Sequence, residues 1–194
     1  MAKVQMGPRT SIYPMPALLV GATVDGRPNF MTVAWGNIAN AEPPMVTVAI
    51  RGSRHTHKGI EQNRTFSVNI PSADLVKETD YCGIASGAKV DKVKDCQFTV
   101  FYGKLDTAPM IEQCPVNIEC SVLHSLELGS HTLYVGRIEE VHVSSDCLVD
   151  GRIDLDKIKP LAYLGDPSRQ YHGIGKLQGK GFSIGLEIKG KEKM

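Results

Sequence analysis

Two long segments of alternating apolar and polar residues constrain the fold more than any other feature. They span residues 116–128 and 131–145, and Gly129 and Ser130 between them are typical of a turn. Each predicted strand is about twice the usual length of roughly 5–6 residues. Gly136 lies beside a break in the second alternation, which indicates a β-bulge. His124 falls on the apolar face of the first strand and is predicted to lie in the core. Long, coiled strands of this kind favour a small barrel over a flat sheet.

Shorter alternating segments predict further strands. Residues 45–50 and 65–70 alternate between apolar and polar side chains, as half-buried strands do. Residues 18–24 and 30–38 flank a turn at residues 25–26, Asp followed by Gly, which predicts a β-hairpin. The sheet would therefore be mostly antiparallel.

Helical signals are sparse. One short helix is predicted over residues 56–63, and a second begins at an N-cap, Ser72, and runs to residue 81. Residues 82–95 are predicted to form a loop, and the charged tail at residues 189–194 is expected to be frayed. No internal repeat or linker divides the chain. We therefore predict one mainly β, barrel-like domain with a few short helices.

Composition excludes several classes of protein. The net charge of +1 argues against a nucleic-acid binder, which would carry a strong basic excess. The 5 cysteines include no Cys-x-x-Cys pair, which disfavours a structural zinc site, and their odd number disfavours a secreted disulfide framework. No apolar run approaches the roughly 18–20 residues of a membrane span. Residues 17–24 imitate a signal peptide only faintly, so we expect a cytoplasmic protein without a membrane partner.

Residues 51–58 concentrate positive charge and contain no acidic residue. They follow a predicted strand and enter a predicted helix, whose first turn offers unpaired backbone N–H groups and a partial positive charge. The hydroxyls of Ser53 and Thr56 and the guanidinium groups of Arg51 and Arg54 would complete a phosphate cradle. The alternative is a solvated basic loop. The two histidines of this run have no carboxylate or thiol nearby in sequence, so no metal site is predicted.

The predicted strand at residues 29–36 has two unlike faces. One face carries the bulky residues Met31, Val33 and Trp35. The other carries the small residues Thr32, Ala34 and Gly36. A small face allows a flat ligand to approach the backbone closely, or it accommodates a neighbouring helix. Because side chains alternate across a strand, the ring of Trp35 is predicted to point into the core.

Several motifs occur in a fixed order along the chain. They begin with Pro-Asn-Phe-Met-Thr-Val-Ala-Trp at residues 28–35 and continue at residues 43–46, 53–56, 66–70, 86–87, 91–92, 129–136 and 160–163, with Tyr171 last. The ordered set resembles the flavin reductase-like, FMN-binding split-barrel family, and within it flavoredoxin-type proteins. The resemblance covers roughly residues 10–175.

The resemblance implies a split β-barrel that binds FMN, in a homodimer with one flavin per protomer near the interface. The family's phosphate-binding loop corresponds to Ser53, Arg54 and Thr56, with Arg51. Its strand facing the isoalloxazine ring corresponds to Asn29, Thr32 and Ala34. A further segment near the flavin, which the partner protomer could contribute, corresponds to Ser86 and Lys92.

No catalytic residue is identified by the sequence, and His131 is the candidate. The family pattern at this point is Gly-Asp-His, whereas Ser130 precedes the histidine here. A role that needs a carboxylate beside the imidazole is therefore not supported. The alternative is that His131 forms hydrogen bonds at the start of a strand.

The resemblance implies a flavin-dependent oxidoreductase. A reduced donor, either NADH or NADPH or an electron carrier, would pass electrons through bound FMN to a small-molecule or protein acceptor. Two alternatives remain open. One is an electron-transfer flavoprotein without substrate turnover, and the other is a non-enzymatic barrel that binds an anion at residues 51–58.

Overall fold

The computed structural model describes residues 1–189, so all but the first residue of the predicted tail at 189–194 lies outside the described residues. The strands of this part of the chain are β1 (Met15–Pro16), β2 (Leu18–Val24), β3 (Arg27–Val33), β4 (Gly36–Ala41), β5 (Pro44–Ile50), β6 (Thr65–Ile70), β7 (Val100–Phe101), β8 (Met110–Ile111), β9 (Val116–Glu127), β10 (Thr132–Val143), β11 (Leu148–Val149), β12 (Arg152–Ile153), β13 (Leu161–Leu164) and β14 (Gln170–Gly173).

The helices are short. They are α1 (His55–Asn63), α2 (Val76–Ile84), α3 (Lys92–Asp95), α4 (Leu155–Ile158) and α5 (Leu186–Lys189), with 3₁₀ turns at Ala73–Leu75 and Ser145–Cys147. None of the helices within residues 1–189 has the length and apolar character needed to cross a membrane.

The main sheet has seven strands in the order β3-β2-β6-β9-β10-β5-β4, and all neighbours are antiparallel. Its two edge strands, β3 and β4, follow each other in the chain with only Ala34 and Trp35 between them. Three peptide units span at most about 11 Å, whereas a flat seven-stranded sheet would be about 29 Å wide. The sheet therefore curls until its edges approach, and β3 also contacts β5. This curled sheet is the barrel predicted from the sequence.

The two longest strands, β9 and β10, pair as an antiparallel hairpin with a register shift between Val135 and Gly136. The shift confirms the predicted bulge. Leu123 is the extra residue on β9, so the side chains beyond it change faces: Ser125 pairs with the buried Tyr134, and His124 is exposed. The prediction that His124 lies in the core is therefore wrong, because the bulge reverses the alternation.

The predicted hairpin of β2 and β3 is confirmed, with Asp25 and Gly26 both at positive φ (49° and 77°) in its turn. Helix α1 is also confirmed. The predicted strand over residues 30–38 is instead two strands, with a bend at Ala34 and Trp35. The predicted loop over residues 82–95 is wrong in part, because it contains the end of α2 and the whole of α3.

Two apolar clusters hold the site in place. One fills the barrel and includes Val20, Val48, Ile60, Phe66 and Tyr134. The other lies outside the barrel wall, beneath α2 and α3, and consists of Leu19, Phe30, Cys82, Phe98, Ile111 and Cys114. Strands β2 and β3 contribute alternate side chains to both clusters, so these strands are buried on both faces. The second cluster fixes α2 and α3 against β3.

Close packing at Gly21 gives a test of this arrangement. A Cβ atom there would lie 2.5 Å from the Pro109 carbonyl oxygen, 2.5 Å from Ser67 Oγ and 2.6 Å from Phe30 Cε1. Backbone and ring atoms would have to move, so we expect Gly21→Ala to lower the free energy of unfolding by about 1–3 kcal/mol in urea denaturation. The control is Gly175→Ala, where no atom lies within 4 Å. Equal stability of the two variants would contradict the packing described.

Candidate functional site

A polar cavity opens where β5 leads into α1. This cradle cavity has a volume of about 350 Å³ and is lined by Met31, Arg51, Ser53, Arg54, His55, Thr56, Ala85, Ser86, Gly87 and Lys92. It brings together the whole predicted phosphate loop with Ser86 and Lys92. The last two belong to the same chain as the loop. A contribution from a partner protomer, which the sequence left open, is therefore not needed to bring them to this cavity.

The start of α1 supplies hydrogen-bond donors to the cradle cavity. Arg54 is the N-cap residue, it makes no side-chain capping bond, and the first turn contains no acidic residue. The N–H groups of His55 and Thr56, the first two of the helix, therefore have no capping acceptor, whereas that of His57 donates to the Arg54 carbonyl at 3.0 Å. Asn29 Nδ2 donates to Thr56 Oγ1 at 2.7 Å, which leaves the hydroxyl hydrogen of Thr56 free to be donated. Arg54 Nη1 donates to the Gly83 carbonyl at 3.1 Å, which ties its guanidinium group to α2.

Lys92 forms the floor of the cradle cavity and is 4% exposed. Its Nζ donates to the carbonyl oxygens of Phe30 at 2.9 Å and Cys82 at 2.8 Å. An ammonium group carries three donors, so one N–H remains. Burial lowers the pKa of Lys92, and the charge of Arg54 acts in the same direction. No acidic residue lines this cavity, so its arginines and Lys92 leave it electropositive.

A second, smaller cavity adjoins the first. This strand cavity, of about 150 Å³, is lined by Met31, Thr32, Val33, Ala34, Trp35, Ala49, Arg51, Arg54 and His131. It shares Met31, Arg51 and Arg54 with the cradle cavity, so the two are neighbours. The Thr32 hydroxyl donates to the Thr79 carbonyl of α2. Two of the three residues predicted to face a flat ligand, Thr32 and Ala34, therefore lie here.

Asn29, the third of these residues, lies elsewhere. It is buried beneath Thr56 and lines a third cavity of about 670 Å³, which is bounded by residues of β3 and by the segment from Gly87 to Val93. This third cavity shares His55, Gly87 and Lys92 with the cradle cavity. The role of Asn29 in the described structure is thus to orient the hydroxyl of Thr56.

Trp35 stands at the mouth of the strand cavity and not in the core. Its side chain is 41% exposed, and its ring lies 4.5 Å from that of His131, centroid to centroid, at an angle of 35°. Strand β3 ends at Val33, and the bend that follows breaks the alternation of side chains. The prediction that Trp35 points into the core is therefore wrong.

His131 faces the same cavity. Burial lowers the pKa of its imidazole, and the positive charge of Arg51 lowers it further, so the ring is neutral at pH 7. Its Nδ1 lies 2.8 Å from Ser130 Oγ, where the family pattern has a carboxylate. A neutral imidazole beside a hydroxyl can both donate and accept a hydrogen bond, but no charged partner in this contact would hold a proton on it.

Sequence reasoning missed several residues of the cradle cavity, namely Met31, His55, Ala85 and Gly87. The small residues flanking Ser86 were a usable signal, because small side chains leave room for a ligand. The carbonyl of Gly83 carried no signal in the sequence. Within residues 1–189, no three His, Cys, Asp or Glu side chains are placed to hold a metal ion.

Comparison with known proteins identifies the family and the fold. The model of the flavin reductase like domain matches residues 10–172. Flavoredoxin from Methanosarcina acetivorans is 40% identical, with a TM-score of 0.92 over 97% of this chain and 100% of its own. Flavoredoxin of Desulfovibrio vulgaris is 36% identical, with a TM-score of 0.88 over 95% and 100%. The FMN-binding protein from Thermus thermophilus, solved with bound 1-cyclohex-2-enone, is 27% identical, with a TM-score of 0.77 over 93% and 97%. The chain therefore belongs to the flavin reductase-like family and has its split-barrel fold.

Proposed function

We propose that this chain binds FMN across the cradle and strand cavities. The observation that carries the proposal is the charge of the cradle cavity, where Arg51, Arg54 and Lys92 meet the uncapped start of α1 without any acidic residue. Such a site fits a phosphate group. The adjoining strand cavity has the small residues Thr32 and Ala34 beside it, which fits a flat ring. The similar protein from Thermus thermophilus is an FMN-binding protein, which supports the same ligand.

Different residues of this chain would bind the phosphate and the ring of FMN. Ser53, Arg54 and Thr56 would hold the phosphate, with Arg51 adding charge. The backbone around Thr32 would approach the ring. When bound, FMN supplies the chemistry of taking up and releasing electrons, and the protein's part is to bind, orient and tune it.

We further propose that the protein is an oxidoreductase. A reduced donor, which can be NADH, NADPH or an electron carrier, would deliver electrons to bound FMN for an acceptor. The second candidate is an electron-transfer flavoprotein without turnover of its own, and the two flavoredoxins among the similar structures favour it. His131 faces the strand cavity, and its lowered pKa favours the neutral ring, so in an oxidoreductase it could hydrogen-bond a substrate.

Arg54 tests the phosphate assignment. We expect Arg54→Ala to weaken binding of FMN by roughly 10- to 150-fold, because a charge-assisted hydrogen bond contributes about 1.5–3 kcal/mol. Binding of riboflavin, which lacks the phosphate, should change little. Titration with quenching of flavin fluorescence measures both affinities. The matched control is Lys94→Ala, which removes one positive charge from the exposed side of α3. Equal losses for FMN and riboflavin would reject the assignment.

Steady-state kinetics separate the two candidate functions. An oxidoreductase should oxidise NADH or NADPH through many cycles when free FMN is supplied as acceptor. An electron-transfer flavoprotein should be yellow and should accept electrons once per bound flavin, without sustained oxidation of the nicotinamide. A colourless protein with no affinity for FMN would leave only the anion-binding barrel.

We also propose a homodimer. An apolar groove of about 420 Å³ borders the strand cavity, and its lining includes Ile12, Trp35 and Leu133. Ile12 is 76% exposed and Trp35 41%, so a large apolar surface is open to water beside the candidate site. A second copy would cover it. We expect light scattering at micromolar concentration to give the mass of a dimer. A monomer mass for the FMN-bound protein would contradict the proposal.

A further inference from the structure

Two hydrogen bonds join α2 to α3 close to Cys82 and Cys96. Tyr81 Oη donates to Asp95 Oδ2 at 2.6 Å, and these residues directly precede Cys82 and Cys96. Lys92 bridges the same pair. Its Nζ donates to the Cys82 carbonyl at 2.8 Å, and its own carbonyl accepts from the Cys96 N–H at 3.0 Å. These contacts tie the part of α2 that carries Cys82 to α3, which Cys96 follows, and both cysteines pack in the same apolar cluster.

The two thiols differ in exposure. Cys82 is fully buried in the apolar cluster beneath α2, and Cys96 packs against that cluster while lining a surface depression of about 300 Å³. Each thiol is among the groups that shift the pKa of the other. Burial raises the pKa of Cys82 to about 12. Burial also raises the pKa of Cys96, but the neighbouring Cys82 thiol opposes that rise. Cys96, the more exposed of the two, is therefore the sulfur that an oxidant in water reaches.

We propose that Cys82 and Cys96 form a redox-active pair that closes into a disulfide behind the wall of the cradle cavity. With hydrogen peroxide as oxidant, the Cys96 thiolate attacks one peroxide oxygen, the O–O bond breaks, and hydroxide leaves. Cys96 is then a sulfenic acid. The Cys82 sulfur attacks it, the S–S bond forms, the S–O bond breaks, and the displaced hydroxide takes up the Cys82 proton. In sum, two thiols and one peroxide give one disulfide and two waters.

The disulfide would act on the candidate site through the wall that the two helices form. Lys92 contacts both cysteines and lines the cradle cavity, and Arg54 donates to the carbonyl of Gly83, the residue after Cys82. A covalent link between α2 and α3 removes the freedom of this wall to open. We expect FMN to dissociate more slowly from the oxidised protein, by a factor of about 2–10. This part alone rests on the proposed function.

The first experiment needs no flavin. The full chain is treated with hydrogen peroxide, the remaining thiols are blocked, and the non-reduced tryptic digest is analysed by mass spectrometry. We expect a disulfide between the peptides at residues 78–89 and 95–104, lost on treatment with a thiol reductant. Cys96→Ser should abolish it, whereas Cys147→Ser, which changes a cysteine of a different cluster, should not.

Three outcomes of this mapping would overturn the proposal. The first is a disulfide from Cys82 to Cys114, the other buried thiol of the same cluster. The second is recovery of Cys96 only as a sulfinic or sulfonic acid, without a disulfide. The third is survival of both free thiols in protein that circular dichroism shows to be folded.

The second experiment measures the release of FMN by stopped-flow fluorescence from reduced and disulfide-bonded protein. A slower release that returns to the reduced rate after the disulfide is cleaved supports the link to the cavity. An unchanged rate overturns that link, and Cys96→Ser provides the control for oxidation elsewhere. Absence of FMN binding in both forms would instead count against the proposed function, because the peptide mapping does not depend on it.

Discussion

The connection through Ala34 and Trp35 is the constraint on which the rest of the structure depends. It joins the two edges of a seven-stranded sheet and is far too short to cross a flat one. Closure of the sheet ends β3 at Val33 and turns the chain outward. The same bend places Ala34 at the strand cavity and Trp35 against His131. The candidate site thus lies where the barrel closes, and its position follows from the closure itself.

The charge of the cradle cavity depends on which groups hold its cations. Lys92 bonds to the carbonyl oxygens of Phe30 and Cys82, and Arg54 to that of Gly83. Carbonyl oxygens orient a cation but do not neutralise it. The positive charges of the exposed Arg51 and Arg54 therefore meet the buried Lys92 at one cavity, and burial lowers the pKa of Lys92. An anion in the cavity would offset the mutual repulsion of these positive charges. Binding of an anionic ligand should therefore raise the stability of the folded protein.

The sequence predicted what depends on local pattern. The barrel followed from the length of β9 and β10 and the hairpin from its Asp-Gly turn, and the run of cations without acids lines a single cavity. Where tertiary geometry decides, the pattern misled. The sequence pattern alternates through Trp35 and so predicted that this residue lies in the core. In the structure, barrel closure bends the chain after Val33 and ends the alternation there. His124 follows Leu123, whose bulge reverses the faces of β9. Helix α3 has four residues, too few for a repeated pattern of apolar side chains to be recognised in the sequence, and it depends on the Asp91 cap.

Helices α2 and α3 explain why the site could be assembled only in part from the sequence. Apart from the Lys92 side chain, which begins α3, their contribution to the site is backbone: the carbonyls of Cys82 and Gly83 position Lys92 and Arg54, and the Thr79 carbonyl accepts from Thr32. Every residue has a backbone carbonyl, so the sequence does not indicate which carbonyls contribute to a site. Among the side chains of α2, Cys82 lies in the apolar cluster that holds the helix against β3. The packing of that cluster therefore controls the geometry of the polar cavity on the other side of the helix. A change in the cluster, such as a new covalent bond, would reach Lys92 and Arg54 through two hydrogen bonds to the backbone of α2.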